Sequence, residues 1–84
     1  MRVTRKEYTT DVLNRIKELR IQYGYSQSKL AKEIFISLTE YRKIEAGEKP
    51  MKMRMLISIL RVFRIKTGYF FRPITQKRYG KSTP

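Results

Sequence analysis

The chain has 84 residues, of which 20 are basic, 7 acidic and none cysteine or histidine, for a net charge of +13. That is enough for one domain with a modest core. It excludes disulfides and thiolate metal sites, and it removes the commonest general base together with the commonest metal ligand.

Residues 1–9 are a polar, basic lead-in. Arg2, Arg5 and Lys6 could extend along a nucleic acid as an arm, or the segment could simply fray. No apolar h-region follows Met1, and no stretch has the length of an uncharged membrane span, so a cytoplasmic protein with no membrane partner is expected. Thr10 reads as the cap of the first helix, with Asp11 at its positive end. Val12, Leu13, Ile16, Leu19 and Tyr23 share one face, and Gly24 ends the run. Arg15, Lys17, Glu18 and Gln22 form a face read as solvated.

Two short helices with a tight turn follow. Ser26 is a plausible N-cap, and Leu30, Ala31 and Ile34 make one apolar stripe. Ser37 is the stronger start signal, since Glu40 three residues later completes a capping box. Tyr41 and Ile44 give the second helix a narrow inner edge, and Gly47 supplies its C′ position. The outer face carries Leu38, Thr39, Arg42, Lys43 and Ala46, uncommitted to any core.

Glu48 to Lys52, with Pro50, is a loop. From Met53 to Phe63 only Arg54, Ser58 and Arg61 are polar, so this helix is buried or shared with a partner. Thr67 can cap a last short helix, Gly68 to about Arg72, ended by Pro73. Residues 73–84 are then a basic flexible tail or a short strand added to a partner.

Charge is unevenly placed. Residues 1–24 carry six basic and three acidic groups, residues 25–50 five and four, and residues 51–84 nine and none. Attraction to phosphate must therefore come mostly from the flanks, and such contacts position a protein without specifying sequence.

Ser26-Gln27-x-x-Leu30-Ala31, then Ile36-Ser37, then Ile44-Glu45-x-Gly47 with Pro50 beyond, resembles the phage-repressor family of helix-turn-helix domains, the lambda Cro/CI-like group. The likeness spans about Ile16 to Phe71. It implies an all-α fold, a small bundle of about five helices with a central helix-turn-helix over residues 10–72. It also implies a sequence-specific DNA-binding regulator, a repressor by the family's habit, with no cofactor. By that resemblance Gln27 touches a backbone phosphate and braces the reading helix, which begins after Ser37. Leu38, Thr39 and Lys43 are its base-reading positions, with Arg42 beside them. Arg20 would pair with Glu45.

Two departures stand out. The family has glutamine or arginine where this chain has Leu38 and Thr39, which leaves more of the recognition to DNA shape. It has glycine where this chain has Phe35. Either the turn takes another path here, or Phe35 fills a pocket that offsets the strain of positive φ.

Lys43 can donate to guanine O6 and N7, while Leu38 and the Thr39 methyl can pack on a thymine methyl. Lys49, Lys52 and Arg54 are candidate phosphate clamps, with simple solvation as the alternative. Since one short helix reads few base pairs, a two-fold dimer is expected, through Ile57, Tyr69, Phe70 and Phe71. A second reading of the same scaffold is an antitoxin-like chain that binds a toxin-like protein partner, with DNA binding secondary. An enzyme has little to stand on, because the seven carboxylates are explained by caps, pairing and solvated faces. A membrane-surface segment at residues 51–71 lacks the broad charged face that such helices show.

Overall fold

A computed structural model describes residues 5–79, with side chains from 7 to 75. Within it the chain is all-α. Five helices follow in order: α1 (Arg5–Gln22), α2 (Gln27–Glu33), α3 (Leu38–Glu45), α4 (Met53–Phe63) and α5 (Thr67–Tyr79). Of the lead-in and tail considered above, residues 1–4, Arg2 among them, and 80–84 lie outside the described part.

The short central helices form as their caps dictate. Ser26 Oγ accepts from the Lys29 amide at 3.0 Å and Ser37 Oγ from the Glu40 amide at 3.1 Å, each satisfying one of the orphan donors of a helix start. The expected reciprocal half of the capping box does not form. The Glu40 carboxylate lies 3.5 Å from Lys49 instead.

The first four helices end alike. The C″ amide reaches back five residues while the C′ residue takes a left-handed backbone. Gly24 (φ 73) and Gly47 (φ 84) do this at no steric cost, but Phe35 (φ 62) and Arg64 (φ 55) occupy the same conformation with side chains. For α2 the bonds are Ile36 N–H to Ala31 O at 3.0 Å and Phe35 N–H to Lys32 O at 3.2 Å. The turn thus keeps the left-handed path, and the Phe35 ring is 93 % exposed. Neither expected resolution of the Phe35 departure holds: there is no alternative path and no pocket.

The core is drawn from every helix: Ile16 and Leu19, Leu30 and Ala31, Tyr41, then Leu56, Ile59, Leu60 and Phe63, then Phe70 and Ile74. In α4 the buried positions fall at 56, 59, 60 and 63, one helical face, while Met53 and Ile57 remain exposed. Tyr25 meets Phe63 edge-on, with ring centroids 5.1 Å apart.

Both ends depart from the sequence expectations. α1 starts at Arg5, five residues before the Thr10 cap, which puts Asp11 inside the helix and buried rather than at its positive end. Tyr8 stacks on Phe71 at 6.3 Å, so the early turns have a tertiary partner. At the other end, α5 runs through Pro73 to Tyr79. A proline amide cannot bond the carbonyl four residues back, here Tyr69. Arg15 replaces it: Nη2 donates to Tyr69 O at 3.5 Å and Nε to Phe70 O at 3.2 Å, with the guanidinium 5.4 Å from the Tyr69 ring centre. Arg15, read as solvated, is a largely buried link between α1 and α5 that also pairs with Glu18 at 2.9 Å.

Candidate nucleic-acid interface

The geometry of α3 is set from behind. Tyr41, Ile44 and Glu45 are buried, while Thr39, Arg42 and Lys43 are exposed and Leu38 is half-buried. The helix therefore divides as its 3.6-residue period requires, with polar and cationic groups turned to solvent.

Glu45 is the anchor of the buried side. Arg20 donates to it twice, from Nε at 2.9 Å and Nη2 at 3.3 Å. Gln27 Nε2 donates at 2.8 Å, and the Tyr41 hydroxyl makes a short bond to the other side of the carboxylate. Arg20 also donates from Nη1 to Tyr25 O at 2.9 Å. One carboxylate thus joins α1, α2 and α3, and the expected Arg20–Glu45 pair forms as a two-pronged bridge. Burial pushes the Glu45 carboxyl pKa up, but the bonds from Arg20, Tyr41 and Gln27 outweigh it and hold the carboxyl below its ordinary value of 4.5. Burial first, then the bond to Glu45, drives the Tyr41 hydroxyl well above the usual phenol range. Both shifts keep the network in one state, ionised Glu45 and neutral Tyr41, across neutral pH.

Gln27 is therefore placed as a brace, its amide nitrogen committed to Glu45. Ser37 is exposed and spends its hydroxyl oxygen on the α3 cap. Lys49, Lys52 and Arg54 are brought together. All three are exposed, and they line one groove of about 350 Å³ whose apolar floor includes Ile34, Ile36, Ile44 and Met55. The Lys49–Glu40 pair is half-exposed on both sides; surface pairs of this kind contribute about 0–1 kcal/mol, so it leaves Lys49 available to a stronger anion.

The residues assigned to a dimer surface do not stay together. Phe70 is fully buried in the core, 4.8 Å from Phe71 edge-on, and cannot face a second chain. Its burial follows from the helix that continues past Pro73, since Phe70 and Ile74 sit one turn apart on the inner face of α5. Phe71 is partly covered by Tyr8. Ile57 and Tyr69 are exposed; Ile57 edges a groove with Arg61, Arg64 and Lys66, while Tyr69 lies beside Arg15.

Among the described residues no group of three or more His, Cys, Asp or Glu could hold a metal ion, and no helix is long and apolar enough to cross a membrane. The residue whose part sequence reasoning missed is Arg15, a structural link between α1 and α5 and not a member of the interface; its only signal was a proline four residues after Tyr69.

A helix-turn-helix family profile matches residues 16–70, from the middle of α1 into α5. The chain is also similar to an uncharacterized HTH-type transcriptional regulator of Bacillus subtilis (strain 168), YgzD, at 32 % identity over 53 residues; the match covers 63 % of this chain and 80 % of that protein. No solved structure matches.

Proposed function

The chain belongs to the helix-turn-helix family, and we propose that it is a sequence-specific transcriptional repressor that inserts α3 into the major groove as a homodimer. A DNA-binding regulator is the coarse reading that family and relative support. One observation carries the finer reading: Glu45, Tyr41 and Ile44 hold one side of α3 in the core, leaving Thr39, Arg42 and Lys43 exposed together. A short helix supported in this way can present side chains to base edges without first paying to order itself.

In this reading Lys43 donates to guanine O6 and N7, Thr39 and Leu38 offer methyl groups to thymine, and Arg42 serves either a base or a phosphate. Lys49, Lys52 and Arg54 hold phosphates from the neighbouring groove rim and fix register. Gln27 and Ser37, at the starts of α2 and α3, add phosphate contacts where helix amides favour anions. Repression rests on the likeness to phage repressors, and dimerisation on the exposed apolar Ile57 and Tyr69. No observation favours the toxin-binding alternative over this one.

The test is selection of binding sites from random duplexes, followed by footprinting and a promoter–reporter assay. The proposal expects a reproducible motif with two related half-sites about one helical turn apart, and reduced reporter output. Enrichment of no motif refutes sequence reading.

A further inference from the structure

We propose that Phe35 is itself a DNA-contacting residue, an apolar wedge that meets the duplex at the edge of the groove entered by α3. This rests on the DNA-reading role of α3. Phe35 carries backbone strain that its surroundings do not offset. Phe35 is the C′ residue of α2 at φ 62, a left-handed conformation that is unfavourable for a residue with a side chain. Glycine would adopt it freely. Burial of the ring could offset the strain, but the ring is 93 % exposed, so the free chain is strained and leaves an aromatic surface in water. Strain that none of the described residues offsets points to a function outside the molecule.

The backbone that carries the ring is fixed rather than floppy. Ile34 and Ile36 on either side pack against the core, and the Phe35 and Ile36 amides are both bonded back into α2. The same two isoleucines line the groove that carries Lys49, Lys52 and Arg54, and Ser37, the cap of α3, follows two residues later. Phe35 therefore sits on the exposed turn that leads into the reading helix, flanked by two residues of the groove with the cationic rim. A duplex seated on both would bring its groove edge to this point. There the apolar chemistry on offer is the thymine C5-methyl and the deoxyribose face, and an aromatic ring suits both. The surrounding positive charge favours this polyanion over a protein surface. The contact would supplement an α3 whose Leu38 and Thr39 supply little hydrogen-bond readout.

The experiment compares the full chain with Phe35→Gly and Phe35→Asn, both tolerant of left-handed backbone, on the duplex selected by the wild-type chain. Fluorescence anisotropy gives Kd, thermal unfolding gives the midpoint, and sedimentation gives the monomer–dimer balance. The expected result is opposite signs: Kd rises about tenfold, in the range of one lost base-edge contact, while the Phe35→Gly midpoint holds or rises by about 2–5 °C as strain is relieved. Deoxyuridine placed at one thymine at a time identifies the contact, read as the difference between wild type and variant because Leu38 and Thr39 are also assigned thymine methyls. If a methyl is the partner of Phe35, that difference vanishes at one position; if the sugar is, it persists at all of them. Unchanged Kd in both variants overturns the proposal, as does a loss wholly explained by a shifted monomer–dimer balance, which would make Phe35 a protein contact. If the wild-type chain selects no sequence, the DNA reading falls and this inference with it. If wild type selects a site that Phe35→Gly binds equally well, this inference falls alone.

Discussion

Removing the Glu45 carboxylate is the sharpest test of how α3 is held. Four donor contacts end on that group: two from Arg20, one from Gln27 and one from Tyr41. Glu45→Ala strands the Tyr41 hydroxyl, whose residue is fully buried, and leaves the Arg20 guanidinium with Tyr25 O alone. An orphaned buried donor costs about 1–3 kcal/mol, and breaking a buried pair by losing one partner costs about 3–5 kcal/mol. Glu45→Ala should therefore lose about 4 kcal/mol, a large share of the total stability of so small a domain. Arg20→Ala should lose less, about 2–3 kcal/mol, because Gln27 and Tyr41 still satisfy the carboxylate. The double variant should lose about 2 kcal/mol less than the sum of the two. Urea unfolding of the four proteins, followed by circular dichroism at 222 nm (the usual helix band), measures all of these quantities. A coupling below about 0.5 kcal/mol would refute the account, since residues that do not interact add to within that margin. The same carboxylate sets a pH arm. Its folded pKa lies below 4.5, so the unfolded chain binds the proton first on acidification. The stabilisation is present above about pH 4.5 and is lost as pH falls through the folded value. Glu45→Gln should show a flatter dependence across that window.

Replacing Lys43 or Thr39 with alanine should cut discrimination by about 1–3 kcal/mol at particular base pairs, read from Kd on single-substituted operators. Lys52→Ala and Arg54→Ala should instead weaken specific and random duplex alike and reduce the slope of log K against log salt by about 0.9 each. Equal losses on every duplex from all four changes would exclude base reading. At the far end of the molecule, Arg15→Ala should cost about 1–3 kcal/mol by removing donors from Tyr69 O and Phe70 O. That cost should shrink in a Pro73→Ala background, where a backbone amide can serve Tyr69 again; an unchanged cost, measured by urea unfolding, would show that Arg15 does not substitute for it.

What could be read from sequence was what neighbours in sequence decide. Ser26 and Ser37 bond amides three residues away, so their caps and the extent of α2, α3 and α4 were legible from the letters. The Arg20–Glu45 bridge spans 25 residues and was reached only through the family resemblance. Elsewhere, distant contacts overrode local rules. Thr10 is a good cap, yet α1 continues back to Arg5, with Tyr8 resting on Phe71. Pro73 is a good terminator, yet α5 passes through it with Arg15 on the carbonyl that the proline leaves unbonded. Ending that helix at Arg72 also hid Ile74 as the partner of Phe70 on one inward face, which is why Phe70 was assigned to a surface. Phe35 differs from both cases: none of the described residues covers its exposed ring.

The same separation of local and distant effects runs through the proposed interface. The central segment, residues 25–50, has five basic and four acidic groups, while the chain from Met51 onward has nine basic and none acidic. A nearly neutral reading unit with charged flanks splits recognition into two parts. In the proposed reading, counterion release at Lys52, Arg54 and their neighbours would supply affinity for any duplex, whereas α3 would supply the difference between sequences. That split works only if α3 cannot turn when the flanks engage, because a rotation of one residue, about 100°, would replace Thr39 and Lys43 with Glu40 and Ile44 at the groove. Glu45 is what resists such a rotation, being tied at once to α1 through Arg20 and to α2 through Gln27. Loosening that tie while leaving the cations intact should therefore erode specificity before affinity. Gln27→Ala, which removes one tie and leaves the Arg20 bridge in place, should keep the salt slope and lose on random duplex only the share of one neutral phosphate contact, while losing more on the selected operator. A Gln27→Ala chain that lost both in proportion would show that the tie serves stability alone.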